Sequence, residues 1–353
     1  MTALLMPSTT HDMLMSQLST HDLFMFARSC RFNRAAVDAY MRRAFNFERW
    51  IAPFFPSSTA SHFRQLQAAT GALITGRAAL HFFQRSRLLC TVLDVTVHRK
   101  YLSAVGNWLQ ANNFVFEKSV CGASTWTAAA KRCLEAELTD DYLYLIFESC
   151  VAGIVDFTNS TSSLTVKIIA VFNCPLAYVL DYHSTVAMNF ITHNEAISLY
   201  PRMTLIWQNG VKFLYRGSEH DRDIATYEHD GWLIEEYPPS KYDKRELLHH
   251  RTVGDRFCWT IDLEGSLSLP AYPAYANSWQ ASDWLIDFRI CYHIVDSSHL
   301  LYSYLVWLGA EKRASDIVAS YATQETNMDD DFATYMTKFY DFIEEYGYEW
   351  WNV

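Results

Sequence analysis

The run Gly71-Ala72-Leu73-Ile74-Thr75-Gly76-Arg77-Ala78-Ala79-Leu80-His81-Phe82-Phe83, followed by Thr91-Val92-Leu93-Asp94-Val95-Thr96-Val97, decides the fold. Its first part is an apolar segment that begins at Thr70 and closes on a glycine. It then passes into helical spacing over 78–85, with Leu80, Phe82 and Phe83 as the large apolar members. Glycine lacks a Cβ and so allows the tight turn by which a strand hands over to a helix. The second part, within 88–97, is rich in Val, Leu and Thr and predicts a strand. Strand, glycine turn, helix and strand in succession belong to a mixed sheet with helices packed on it.

Outward from this run the same alternation continues. Residues 101–112 place Val105, Trp108 and Leu109 on one side of a helix; 142–147, 154–157 and 164–172 read as strands, and 176–190 and 194–200 as helical. The stretch 210–239 is richer in charge, with a loop expected over 217–221 and Pro238-Pro239 as a breaker. Strand-like runs return at 256–263 and 286–295, separated by a Pro/Tyr-rich loop at 270–275. Residues 329–351 predict a helix with Asp329, Asp330 and Asp331 at the positive end of its dipole and Phe332, Met336 and Phe339 on one face. Toward the start, 18–45 carries Leu23, Phe26, Ala27, Cys30, Arg34 and Val37 at spacings of three and four, behind a Ser19…Asp22 capping pattern. The expected class is α+β (mixed α/β). Four parts are expected: a helical head over 14–50, a linker and helix over 51–69, an α/β domain over 70–210, and an α+β part over 211–353 packed on it.

Composition narrows the function. Half of the 353 residues are hydrophobic and 15% aromatic, which supplies ample surface to bury and argues against disorder. A net charge of -10 argues against a DNA or RNA partner, because phosphate neutralisation needs clustered cations. The pairs Arg42-Arg43 and Lys131-Arg132 read as solvated helix faces. The eight cysteines include no C-x-x-C pair and lie in apolar runs, so they are expected reduced and buried rather than in disulfides or a zinc site. The longest apolar candidate, 288–308, is interrupted by Arg289, His293, Asp296 and His299, and the opening has no basic-then-apolar pattern. No membrane span and a cytoplasmic or nuclear location are therefore expected.

Two segments carry resemblances. Leu18-Ser19-Thr20-His21-Asp22-Leu23, with Phe26-Ala27-Arg28-Ser29-Cys30-Arg31 and Asn33-Arg34, resembles the later part of an F-box, although the opening Leu-Pro turn of that motif is absent. Over 70–201 the chain is similar to a family of fungal proteins that follow an F-box-like start with a nucleotidyltransferase-like domain. Gly71 to Phe83 looks like that family's glycine-serine turn and helix, and Thr91 to Val97 like its strand with two alternating aspartates. Tyr182-His183-Ser184-Thr185, Met188-Asn189 and Ser198-Leu199-Tyr200-Pro201 also look like family sequence. The first resemblance implies docking through Leu18, Leu23 and Phe26 on the Skp-type subunit of a cullin ubiquitin ligase. The second implies that the turn at Gly76 and Arg77 approaches nucleotide phosphates while two carboxylates, sharing one strand face, hold Mg or Mn.

The chain departs from that pattern. Arg77 stands where the family has serine, and the best register places Val92 at the first aspartate and Asp94 at the second. If the register slips by two, Asp94 becomes the first and Thr96 replaces the second. The candidate third strand, 166–171, has no acid, and Asp156 is the nearest substitute. One carboxylate alone binds a divalent ion weakly. The expectation is thus an F-box-like substrate adaptor with a pseudo-nucleotidyltransferase domain, with no cofactor and with Gly76 and Arg77 as the contacts for any nucleotide. The alternative is an active metal-dependent nucleotidyltransferase using Asp94 and Asp156 with Mg or Mn. A second alternative is a small-molecule or peptide binder. His183 beside Ser184 reads as a cap or buried hydrogen bond, since adjacent helical residues point about 100° apart. His249-His250 reads as exposed loop, and neither Asp140-Asp141 nor Asp329-Asp330-Asp331 has calcium-loop spacing.

Overall fold

In the computed structural model, which describes residues 8–86, 90–137, 150–212, 218–238, 245–248, 250–263, 272–281, 290–321 and 328–346, the chain opens with four short helices. These are α1 (Ser8–Ser16), α2 (Thr20–Ser29), α3 (Arg31–Ala44) and α4 (Phe47–Ile51). The capping pattern works as the sequence expects: Ser19 Oγ accepts from the Asp22 N–H at 3.1 Å and donates to the Asp22 carboxylate at 2.7 Å. Met15, Leu23, Val37 and Tyr40 form the head's own small core. Helix α5 (Ser57–Thr70) starts directly after Pro56, so most of the 51–69 part expected as linker and helix is helix, and Phe54 and Phe55 before it are buried. Proline suits that place because its missing N–H is an orphan at a helix start anyway.

The main sheet follows. Its first strand β1 (Leu73–Thr75) runs into α6 (Gly76–Phe83) and β2 (Val92–His98); α7 (Leu102–Ala111), β3 (Phe114–Ser119), α8 (Trp126–Glu135), β4 (Val151–Asn159) and β5 (Thr165–Val171) come next. Then come α9 (Pro175–Leu180), β6 (Asn189–Ile191), β7 (Glu195–Ser198), β8 (Asn209–Val211), α10 (Ser218–His229), β9 (Leu233–Glu235), α11 (Arg245–Leu248), β10 (His250–Thr252) and β11 (Trp259–Asp262). The described residues end with β12 (Ser278–Ala281), β13 (Ile290–Cys291), β14 (His293–Val295), β15 (Tyr304–Val306), α12 (Glu311–Tyr321) and α13 (Asp329–Tyr346). Eight strands pair in the order β11-β7-β6-β1-β2-β5-β4-β3, with β2 and β5 parallel and the other neighbours antiparallel. One face of its centre, with Leu93, Val95, Ile168 and Phe157, packs into a core shared with Trp50, Phe63 and Trp126. A second core gathers Trp279, Tyr304, Phe332, Met336 and Phe339 around α13.

Several expectations are corrected. Within 176–190 the α-helix stops at Leu180, a 3-10 turn covers 185–187, and 189–191 is strand β6; 194–200 holds strand β7 rather than a helix. Short apolar runs carry no decisive periodicity, and here pairing on both sides, with β6 and β11, wins. Residues 218–221, expected in a loop, open α10. Strand β11 joins the main sheet, so the part beyond 210 interlocks with the domain before it. Cys30 and Cys121 are exposed although Cys133 and Cys174 are buried, and all eight cysteines are free. No described helix is long and apolar enough to cross a membrane. The strand expected at 142–147, Asp140-Asp141 and His249 lie outside the described residues.

Candidate functional site

Strand register gathers four charged residues of the sheet into one row. Thr75 pairs with Asp94, Asp94 with Lys167, Lys167 with Asp156, and Asp156 with Lys118, across β1, β2, β5, β4 and β3. Residues directly opposite on neighbouring strands share a face, so all five side chains project to one side of the sheet. That side is opposite to Leu93, Val95, Val155 and Ile168, which face the core. Lys167 Nζ lies 4.0 Å from Asp94 Oδ1, and Lys118 Nζ lies 3.5 Å from Asp156 Oδ2. The structure thus places Asp94 and Asp156 on the same face, as a shared site needs, but two strands apart with a lysine between them.

Gly76 sits at the end of this row with φ of +67°, a conformation that favours glycine. A Cβ there would stand 2.8 Å from Asp94 Oδ2 and 3.1 Å from Tyr182 Oη, so the glycine lets α6 begin directly against the carboxylate. The positive end of a helix favours such an anion. Arg77 points elsewhere: its guanidinium pairs with Asp230, the residue after α10. The anion partner that a phosphate would provide is already supplied by the chain.

Asp94 is walled by phenols. Tyr178 in α9 and Tyr182 just beyond its end, with ring centroids at 5.1 Å, and Tyr227 from α10 all feel its charge. Burial pushes all three phenols above their ordinary range, and Asp94 adds to the push. Burial likewise lifts the Asp94 carboxyl to about 6; Lys167 opposes that rise, and Asp156 and Asp223 reinforce it. Asp94 Oδ1 and Asp156 Oδ1 are both buried without a hydrogen-bond partner. His183, buried at 2%, stacks edge-on to Tyr227 at 5.0 Å, and Ser184 is fully buried in a bridge to Lys212.

The residues do not fit the two-metal arrangement that the resemblance implies. Val92 shares the Asp94 face of β2 and offers no oxygen, and Lys167 holds the register position nearest Asp94 on the neighbouring strand. Among the described residues no group of three His, Cys, Asp or Glu side chains converges to hold an ion. Two carboxylates and two ammonium groups alternate along the row, so it has no surplus negative charge for a divalent cation. Lys167, Tyr178 and Tyr227 are the site residues that sequence reasoning missed. The Tyr178–Tyr182 spacing of four was a usable signal, whereas the position of Lys167 depends on strand register.

The F-box-like residues divide. Leu23 is wholly buried in the head's core, Leu18 packs partly against it, and Phe26 is 38% exposed. Leu23 therefore supports the head from inside and is corrected as a docking residue. Comparison with protein-family models, with curated proteins and with solved structures finds no match to this chain.

Proposed function

We propose that the chain is a non-catalytic interaction protein: an F-box-like adaptor whose head docks on the Skp-type subunit of a cullin ligase, with a pseudo-nucleotidyltransferase sheet as its body. The observation that carries this reading is where the apolar surface lies. Of the fourteen large apolar side chains exposed among the described residues, Met13, Leu14, Phe24, Met25, Phe26 and Phe32 all fall in the head. Exposed apolar patches of this kind mark protein contacts. The sheet supports the same reading, since Lys167 supplies from within the chain the positive charge that a metal would bring.

The test is co-purification of the full chain with a Skp-type subunit. Wild type should bind, and Met25→Asp with Phe26→Asp should lose binding while keeping its thermal melt. Leu23→Asp cannot serve here, because an unpaired carboxylate in the head core would unfold it. A folded wild-type chain that never co-purifies refutes the adaptor. In parallel, nucleoside triphosphate with Mg or Mn should yield no pyrophosphate; turnover that Asp94→Ala abolishes would restore the enzyme reading.

A further inference from the structure

We propose that the groove between the helical head and the free edge of β11 is a docking site for an extended acidic peptide, which adds to the main sheet as a ninth strand. Among the described residues strand β11 ends the sheet and pairs only with β7. The Leu263 N–H donates to the Asn194 carbonyl at 2.8 Å, which continues the ladder on that side. In an antiparallel pair successive residues alternate between facing the partner and facing away. Trp259 and Ile261 therefore bond toward β7, and the backbone N–H and C=O of Thr260 and Asp262 point out from the edge. Thr260 and Asp262 are exposed.

The head holds this edge open rather than covering it. Trp259 anchors the junction, with its ring meeting Phe24 at 5.5 Å and Phe45 at 5.6 Å. Arg85, at the end of α6, clamps the head from below by donating to the carbonyls of Met15 and Leu18. Between head and edge lies a cavity of about 970 Å³, with Phe24, Val37 and Met41 as its apolar wall and Thr260 to Leu263 along its far side. That volume suits a peptide segment of a few residues. Strand addition draws affinity from main-chain bonds and specificity from alternate side chains, and both elements are present here.

Charge selects the occupant. Arg28, Arg34 and Arg42 line the groove, are exposed, and have no ion-pair partner among the described residues; Asp38 and Asp262 are the two carboxylates there. Residues 8–51 carry six arginines against four acids, in a chain whose net charge is -10. The groove is thus a cationic strip on an acidic protein, suited to a partner strand that alternates apolar and acidic side chains. Met25, Phe26 and Phe32 do not line it, so the proposal stands apart from the adaptor role of the head.

The experiment uses the full chain and two fluorescein-labelled ten-residue peptides, one alternating Val and Glu and the other Val and Lys, followed by anisotropy. The Val/Glu peptide should bind at least tenfold more tightly than the Val/Lys peptide. Thr260→Pro, which removes an outward N–H at an edge position where proline is tolerated, should weaken it at least fivefold. Arg34→Glu with Arg42→Glu, both at exposed positions, should abolish the preference and leave the melt unchanged, which keeps the test sound even if the proline variant misfolds. No binding of the Val/Glu peptide, equal binding of both peptides, or full binding by a folded Thr260→Pro chain each overturns the proposal. So does a dimer in light scattering that Thr260→Pro dissolves, since a second copy would then occupy the edge.

Discussion

Arg251 and Asp94 are two charges held within the fold, and they are treated in opposite ways. Arg251 on β10 is 1% exposed and each nitrogen of its guanidinium donates a hydrogen bond. It makes a two-pronged pair with Asp255, donates to the Glu246 carbonyl at 2.7 Å and the Leu199 carbonyl at 2.9 Å, and lies over the rings of Tyr200, Phe257 and Trp279. Asp94 has one cation at 4.0 Å among the described residues, a carboxylate oxygen with no hydrogen bond, and a second acid on the far side of that counter-ion. A saturated buried charge joins loops into architecture. An unsaturated one is a cost that the surrounding fold must carry, and such costs concentrate where a site is or once was.

The largest effect expected from this contrast is at Arg251. Arg251→Met should destabilise by about 3–5 kcal/mol, because Asp255 is left buried and uncompensated. Chemical denaturation checks it; a loss below about 1 kcal/mol would put Arg251 in the same class as Asp94.

Asp94→Asn should do the reverse. The carboxyl titrates near 6 in the folded chain against 3.8 in the unfolded one, so the folded state binds the extra proton between those values. Stability contributed by the protonated form is present below about 4 and is lost as pH rises through 6. At pH 7 the asparagine variant should therefore be more stable by up to about 3 kcal/mol, and the gain should vanish at pH 4. Melts at both pH values decide, and a variant that is destabilised at pH 7 breaks the comparison.

Metal affinity is a finer probe. Val92→Asp alone should change Mn binding little while Lys167 remains beside Asp94. Val92→Asp combined with Lys167→Asp should bind Mn at least tenfold more tightly than wild type, read by electron paramagnetic resonance. Equal affinity in the two variants would show that Lys167 is not the barrier. The smallest effect belongs to Lys118, whose ammonium is 71% exposed. Lys118→Ala should shift stability by no more than about 0.5 kcal/mol in urea unfolding, since exposed pairs contribute little.

How far the sequence reached follows from the range of the interactions involved. The strand–glycine–helix–strand run around Gly76 and Asp94, the capping at Ser19 and the acidic start of α13 are local, and they are found where the pattern puts them. Asp329 went further than a helix-start charge: it is 2% exposed and accepts from the backbone of Leu301 and Tyr302 and from the Tyr304 hydroxyl. Strand β7 was hidden because Glu195-Ala196-Ile197-Ser198 is too short to show a period. Lys167 was hidden because its meaning lies in which residues it faces, and register is set by partners distant in the chain. The missing first carboxylate at Val92 could be seen in the sequence, whereas the cation built into its neighbourhood could not.

The late position of β11 bears on how the protein is made. Strand β7 and the head are synthesised well before Trp259, and residues 199–258 must follow before the sheet gains its last strand. At ribosomal speeds that interval is on the order of seconds. Throughout it Phe24 and Phe45 lack the indole they close upon, and β7 presents a bare edge. Nascent chains caught at this stage should expose that edge and those rings together, and the arrival of β11 with Trp259 on it covers both at once.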